Sequence, residues 1–108
     1  MADATAVIDD AERCRFRYVE DGHEAQLDYR AEDGRLVLTH TEVPDALGGR
    51  GIAGRLVAAA VARAAARGET LAPWCPYTRS WLERHPDEAA TVDIDWREPE
   101  DEEEEVSR

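Results

Sequence analysis

The sequence predicts an α+β domain with a mixed sheet: a three-strand antiparallel meander, then a strand–helix–strand crossover, then a short C-terminal helix. Three observations predict it. Apolar and polar residues alternate on both sides of the turn dipeptides Asp21-Gly22 and Asp33-Gly34. A glycine-rich turn opens an alanine-rich segment that stops at Gly68, a residue typical of helix ends. A short apolar run, residues 70–74, follows that segment and predicts a strand parallel to the third one.

The first hairpin follows from the alternation. The first strand is predicted over residues 13–19 and the second over residues 24–31, with a turn at Asp21-Gly22. That turn sets a register in which apolar residues face one another and opposite charges meet. The predicted pairs are Tyr18 with Ala25, Phe16 with Leu27, Cys14 with Tyr29, and Arg15 with Asp28. Cys14 is therefore predicted to lie in the core.

The third strand and the main helix complete the pattern. Residues 36–43 are predicted to pair Tyr29 with Leu38 and Leu27 with His40, which puts His40 on the core face. The helix is predicted from about Gly51 to Arg67. A second helix is predicted to begin at Pro76, a residue suited to the first helical position, and to end before His85-Pro86.

Composition predicts one domain with two flanking segments. The chain has 108 residues and a net charge of −12. Residues 1–12 are predicted to be a loose lead-in, residues 13–91 the folded domain, and residues 92–108 an acidic, disordered tail. The last segment carries nine acidic residues against two arginines, so the domain itself is only moderately acidic.

The same composition argues against several classes of function. An acidic chain lacks the basic face that nucleic-acid phosphates require. No apolar run is long enough to span a bilayer, and no secretory leader is present at the N-terminus. Two cysteines and three histidines have no metal-ligand spacing and form no disulfide framework. A cytoplasmic protein with reduced thiols and no bound metal is expected.

The turn before the main helix predicts an anion site. Gly48, Gly49 and Gly51 allow the backbone to approach a ligand closely, and a helix start presents unpaired N–H groups with partial positive charge. This combination suits a phosphate or a diphosphate. Arg50 is a cation at the positive end of a helix, a cost that a bound anion would relieve, and it therefore also indicates a phosphate.

Cys75 and His40 are the candidate catalytic residues. Each lies near the carboxyl end of its predicted strand, where ligands collect in open sheets. Cys75 also begins a helix, whose dipole favours the thiolate, and His40 is able to take a proton from the thiol or from an incoming amine. Either residue taken alone is as well explained by core packing.

Four short motifs follow one another along the chain: residues 40–44 (His-Thr-Glu-Val-Pro), residues 49–53 (Gly-Arg-Gly-Ile-Ala), residues 75–77 (Cys-Pro-Tyr) and residues 83–86 (Glu-Arg-His-Pro). In this order they resemble the small, single-domain branch of the GCN5-related N-acetyltransferases. The resemblance implies a minimal acetyltransferase fold, acetyl-CoA as cosubstrate and an active-site cysteine and histidine at Cys75 and His40. It also implies that the strand ending at Val43 binds the pantetheine arm through its backbone. The implied coenzyme A contacts are Val43, Gly48, Gly49, Arg50, Gly51, Ile52, Ala53 and Gly54. In the family's acetyl-CoA motif, Gln or Arg is usual where this chain has Gly48.

Two mechanisms and three functions stay open from the sequence. Cys75 either carries the acetyl group in a ping-pong reaction, or it lines the pocket while an amine attacks acetyl-CoA directly. The leading function is N-acetylation of a primary amine, with the acidic domain favouring a cationic acceptor such as a polyamine or a basic peptide. The alternatives are a non-catalytic acyl-CoA sensing module and an interaction domain that uses the acidic tail. A monomer or a homodimer is expected, since the sheet has an exposed edge.

Overall fold

A computed structural model of the chain describes residues 7–97, which form one mixed sheet with helices packed on it. The strands are β1 (Val7–Asp10), β2 (Arg15–Glu20), β3 (His23–Glu32), β4 (Arg35–Glu42) and β5 (Thr70–Pro73). The helices are α1 (Ile52–Arg67), α2 (Pro76–Arg84) and α3 (Pro86–Ala89), and a short 3-10 turn covers Asp45–Leu47. No helix within residues 7–97 is long and apolar enough to cross a membrane.

The strands lie in the order β1-β2-β3-β4-β5, with β1 to β4 antiparallel and β5 parallel to β4. The predicted α+β class, the crossover and the short C-terminal helix are thus confirmed. The hairpin register is confirmed as well, since Phe16 pairs with Leu27 and Tyr18 with Ala25. Arg15 pairs with Asp28 and lies 3.4 Å from its carboxylate on the outer face.

The predicted lead-in is wrong for Val7–Asp10, because these residues form β1 and extend the meander to four strands. Their sequence has no clear alternation, so a strand was not expected. Contacts from distant residues hold the strand instead. The Asp9 carboxylate accepts hydrogen bonds from Tyr29 and from Arg63, which lies on α1. Burial, together with this carboxylate, raises the pKa of Tyr29 to about 12. Residues 1–6 of the predicted lead-in lie outside the described residues.

The predicted core position of Cys14 is also wrong. Cys14 is exposed and has a left-handed backbone conformation with φ of 56°, so it belongs to the turn between β1 and β2. Its carbonyl accepts a hydrogen bond from the Tyr29 amide at 2.9 Å. The return of β1 requires a tight turn at this point, and a pattern of alternating residues in β2 alone does not reveal that turn.

The core lies between α1 and one face of the sheet. One side of α1 is buried against large apolar residues of β2, β3 and β4. The buried residues of the helix are Ile52, Leu56, Val57, Ala60, Val61 and Ala64, and their partners in the strands are Phe16, Leu27, Tyr29, Leu36 and Leu38. The helix ends at Gly68, whose φ of 70° is left-handed, as the sequence predicts for a helix C-cap.

The predicted tail begins too early, because residues 92–97 are part of the fold. Ile94 bridges Leu71 in parallel, and the Leu71 amide donates to the Asp93 carbonyl at 2.8 Å. The segment thus covers the outer edge of β5. The Asp95 carboxylate is bound by Arg97 and lies 3.4 Å from Arg35 on β4. Residues 98–108, the rest of the predicted tail, lie outside the described residues.

We expect Asp95→Asn to lower the free energy of unfolding at neutral pH by about 1 kcal/mol, because Arg35 and Arg97 lose their shared carboxylate. Hydrogen bonds from Arg97 lower the pKa of Asp95 from 3.8 to about 2. A carboxyl with a depressed pKa stabilises the fold above its unfolded pKa, and the benefit disappears as the pH falls from about 4 to about 2. The difference between parent and variant should shrink over that window in urea titrations. Asp93→Asn, an exposed carboxylate in the same segment, serves as the matched control and should unfold like the parent at every pH.

Candidate functional site

The site begins where β4 and β5 separate. Their pairing ends at Leu38 and Pro73, and the amides of Trp74 and Cys75 both donate to the Leu38 carbonyl, at 3.0 and 2.9 Å. Pro76 lacks an N–H group and has the fixed φ of a first helical residue, so the chain turns into α2 at this point. Residues 39–42 of β4 therefore have no partner strand on this side, and their backbone faces an open gap.

An irregularity in β4 decides which side chains face this gap. Tyr29 pairs with Leu38, as predicted, but the next residue of β3, Asp28, pairs with His40. Thr39 is the additional residue, and its hydroxyl donates to the Asp28 carbonyl at 3.2 Å. An inserted residue of this kind is a β-bulge, and it exchanges the two faces for every residue beyond it.

His40 is therefore not on the predicted core face. It pairs with Asp28, and 61% of its side chain is exposed on the outer face of the sheet. Its Nε2 lies 3.6 Å from a carboxylate oxygen of Glu42. The predicted pair of Leu27 with His40 is replaced by Leu27 with Thr41. The structure thus does not bring His40 together with the thiol of Cys75, which lies on the other side of β4.

Thr41 occupies the position predicted for His40. Its Oγ1 lies 3.4 Å from the Sγ of Cys75, within hydrogen-bonding distance. Cys75 begins α2 as its N-cap, as the sequence predicts, and only 6% of the residue is exposed. The Cys75 carbonyl accepts a hydrogen bond from the buried Thr78 hydroxyl at 2.8 Å, which fixes the first turn of the helix.

The glycine turn presents free donors, as the sequence predicts. Gly49 and Gly51 have φ values of 76° and 74°, a conformation that glycine adopts without strain. The first amide of α1 with an acceptor is that of Arg55, which donates to the Gly51 carbonyl. Among residues 7–97, none accepts a hydrogen bond from the amides of residues 49–54. These N–H groups stand at the positive end of a helix of 16 residues.

The turn borders a pocket of about 350 Å³. Its lining includes most of the predicted coenzyme A contacts together with residues that the sequence did not indicate. The predicted ones are Val43, Gly48, Gly49, Gly51, Ile52 and Ala53, and the additional ones are Pro44, Asp45, Leu47 and Tyr77. Of the predicted contacts, Arg50 and Gly54 do not line it.

The thiol is close in sequence to residues of the pocket but is not part of its lining. Val43 and Tyr77 line the pocket, and each stands two residues along the chain from one member of the Thr41–Cys75 pair. Neither Thr41 nor Cys75 lines the pocket itself.

Arg50 has an anionic partner within the protein, so its presence does not require a bound phosphate. Its guanidinium lies 2.8 Å from the Glu20 carboxylate at the end of β2. Hydrogen bonds from Tyr18 and Arg50 lower the pKa of Glu20 below its ordinary value. The expectation that an unpaired Arg50 indicates a ligand is wrong, because sequence reasoning did not bring this hairpin next to the turn.

Two comparisons with known proteins match the chain. The family profile described as GCN5-related N-acetyl-transferase matches residues 15–92. The chain belongs to the GCN5-related N-acetyltransferase family. Its fold also resembles the NMR solution structure of a Staphylococcus aureus protein described as a GCN5-like candidate N-acetyltransferase. That match has 24% identity and a TM-score of 0.61, and it covers 78% of this chain and 85% of the other. A search of curated proteins finds no significant match.

Membership in this family makes the chain an acyltransferase by class and confirms the resemblance noted in its motifs. The described residues contain no cluster of three or more histidine, cysteine or acidic side chains able to hold a metal ion. A larger groove of about 480 Å³ runs along α2 and α3, but the glycine turn does not line it. The smaller pocket, which the glycine turn borders, is therefore the candidate binding site.

Sequence reasoning missed Thr41 and Tyr77 as site residues. Thr41 lies within the His-Thr-Glu-Val-Pro motif, but only the bulge at Thr39 turns it toward Cys75. Tyr77 follows Cys75 in the Cys-Pro-Tyr motif, and helical spacing alone does not distinguish a pocket residue from a core residue there.

Gly54 has a packing role in this acetyltransferase. A Cβ at this position would lie 2.8 Å from Nε1 of Trp81, a buried residue of α2. The close approach of α1 and α2 thus depends on the missing side chain, whereas the Gly54 amide remains one of the free donors at the helix start.

We expect Gly54→Ala to destabilise the protein by about 1–3 kcal/mol, because the added methyl displaces Trp81. Helix propensity alone predicts the opposite sign, a gain of about 1 kcal/mol. Ala58→Gly, at an exposed site of the same helix, is the matched control and should cost about 1 kcal/mol through propensity only. Urea unfolding of both variants measures the two effects, and a stabilised Gly54→Ala would contradict the packing role.

Proposed function

We propose that the protein transfers an acetyl group from acetyl-CoA to a primary amine through an acetyl-cysteine intermediate on Cys75. The observation that carries this proposal is the arrangement of the candidate site: the glycine turn with its unpaired amides borders a pocket whose lining residues Val43 and Tyr77 each lie two positions from Thr41 or Cys75. Family membership supports the N-acetyltransferase chemistry. The acetyl donor and the covalent route are proposed from the geometry.

The pocket fits the diphosphate and the pantetheine arm of coenzyme A. The amides of residues 49–54 would bind the diphosphate without any side chain, which compensates for Gly48. A side chain at Gly48 would begin 3.3 Å from the Asp45 carbonyl, a tight contact. The unpaired backbone from residue 39 of β4 to Val43, just after the strand, would bind the amides of the pantetheine arm, because such an edge accepts a further extended chain.

The first half-reaction uses Cys75 as the nucleophile. Its sulfur attacks the thioester carbonyl, so that a new bond from sulfur to the acyl carbon forms while the bond to the coenzyme A sulfur breaks. The thiol proton leaves with the released coenzyme A thiol. The N-terminus of α2 favours negative charge on the attacking sulfur, and the 6% exposure of Cys75 protects the acyl group from water.

The second half-reaction would use the outer face of the sheet. His40 and Glu42 lie exposed on this side of β4, 3.6 Å apart, and Asp28 is paired with His40. An amine that reaches the gap from this face would pass these groups, and His40, which β4 separates from the sulfur, would take the proton of the ammonium before the neutral nitrogen reaches and attacks the acyl carbon. The bond from sulfur to the acyl carbon then breaks and the thiol regains a proton. The carboxylates favour a cationic acceptor, such as a polyamine or a basic peptide.

We expect the protein incubated with acetyl-CoA to gain the mass of one acetyl group, and Cys75→Ser to abolish that gain. Cys14→Ser, which removes the exposed thiol, should behave like the parent and is the matched control. Intact-mass spectrometry with peptide mapping provides the measurement. A Cys75→Ala variant that turns over an amine at the parental rate would remove the covalent route and leave direct transfer.

We expect His40→Gln to leave the formation of acetyl-cysteine within about twofold of the parent and to slow acyl transfer to an amine by about a hundredfold. The two halves are separated by preparing acetylated protein, removing coenzyme A and then adding a polyamine in rapid-quench experiments. An equal slowing of both half-reactions would mean that His40 supports the structure. An unchanged rate of the second half-reaction would refute its role as the base.

A second candidate function is a non-catalytic acyl-CoA sensor. Gly48 favours this function, because glycine supplies no side chain to bind the phosphates. Asp45 favours it too, because this acidic residue lines the pocket. A sensor would bind acetyl-CoA without releasing coenzyme A. Measuring free coenzyme A in the presence of a panel of primary amines separates the two functions.

We also propose a cytoplasmic protein that acts as a monomer or a homodimer and does not bind nucleic acid. Free Cys14 and Cys75 suit a reducing compartment. The net charge of −12 opposes binding to nucleic-acid phosphates. In the part of the sheet that the structure describes, β1 is an edge strand, and its outer edge would be the contact in a dimer.

A further inference from the structure

We infer that Thr41 is a positioning residue that holds the Cys75 sulfur in the orientation required for attack on a thioester. The inference rests on the proposed function of Cys75 and adds the group that controls its thiol. The observation that carries it is the 3.4 Å contact between Thr41 Oγ1 and Cys75 Sγ at the gap between β4 and β5.

The thiol is not used to cap its own helix. An N-cap side chain commonly accepts a hydrogen bond from an amide in the first turn, but the side chain of Cys75 makes no such bond. In the part of the chain that the structure describes, Thr41 is the polar side chain with which the sulfur forms a hydrogen bond. The direction of the Cβ–Sγ bond therefore depends on a residue of the neighbouring strand, 34 positions earlier in the sequence.

Threonine at this position is suited to the task. Its β-branch restricts χ1, so the hydroxyl occupies a defined place on the strand. A thiol and a hydroxyl can each donate, but once the thiol has lost its proton only the hydroxyl can do so. Thr41 then holds the attacking sulfur in place and offers it a hydrogen bond at the same time.

The bulge at Thr39 makes this contact possible. Without the additional residue, Thr41 would face outward and His40 would take its place on the inner side of β4. The hydroxyl of Thr39 is bound to the Asp28 carbonyl, so the bulge has its own hydrogen bond and the position of Thr41 is held by the sheet. The arrangement is thus built into the backbone and does not require a ligand.

The test measures the reactivity of the sulfur with and without acetyl-CoA in a Cys14→Ser background, where Cys75 is the one remaining thiol. Thr41→Val removes the hydroxyl at nearly constant volume, and Thr41→Ser keeps it. We expect Thr41→Val to slow both alkylation by iodoacetamide and acetylation by acetyl-CoA about three- to tenfold, the loss of one hydrogen bond. Thr41→Ser should restore both rates to within about threefold, its shortfall reflecting the freer χ1 of serine.

A merely structural role predicts a different result. In that case Thr41→Val would lower the unfolding temperature while the alkylation rate of the folded protein stayed at the parental value, and this would overturn the inference. Equal slowing by Thr41→Val and Thr41→Ser would overturn it too. Thr41→Ala provides the same readout if the valine variant does not fold. Alkylation needs no acetyl-CoA. Parental protein that is alkylated by iodoacetamide but never acetylated would therefore refute the proposed function, whereas the alkylation rates of the variants would still decide the role of Thr41.

Discussion

The departure of β4 from β5 after Leu38 is the constraint on which the rest of the site depends. The Leu38 carbonyl accepts two amides, those of Trp74 and Cys75, and this shared bond is the last link between the two strands. Pro76 then commits the chain to a helix. The same event therefore ends a strand, opens a gap with an unpaired backbone, and leaves a thiol at a helix start beside that gap. Parallel pairing continued over two more residues would close the gap and leave no room for the pantetheine arm that the proposed function places there.

The proposed anion site consists of backbone N–H groups rather than charged side chains. Arg50, the arginine of the glycine turn, is bound to Glu20, and Arg63 is held by Glu69 and Asp9. Both arginines thus have carboxylate partners within the protein. What stays unpaired is a row of amides at the start of α1. In the proposed function these amides would attract a diphosphate through the helix dipole without ordering any side chain, so that a chain with a net charge of −12 could still bind an anion.

The two halves of the proposed reaction would use different faces of the sheet. The inner face carries α1, the free amides and the Thr41–Cys75 contact, and it would receive the acetyl donor. The outer face carries His40 and Glu42 and would receive the amine. The bulge at Thr39 decides which residue lies on which face, because without it His40 would face inward and Thr41 outward. The thiol and the imidazole therefore lie on opposite sides of β4, and the proposed reaction would use each from its own side.

Local chemistry in the sequence determined the register of the first hairpin, that of the second as far as Leu38, the limits of α1 and the placement of Cys75. The reason is that Asp21-Gly22, alternating side chains and a proline after Cys75 act on their immediate neighbours. Tertiary structure alone decided the bulge, the strand Val7–Asp10, the docking of residues 92–97 and the partner of Arg50. Each depends on groups far apart in the chain, such as Arg50 and Glu20, which are 30 positions apart. An alternating sequence pattern does not reveal a one-residue insertion in a strand. The exchange of His40 for Thr41 on the inner face of β4 therefore follows only from the pairing of β3 with β4.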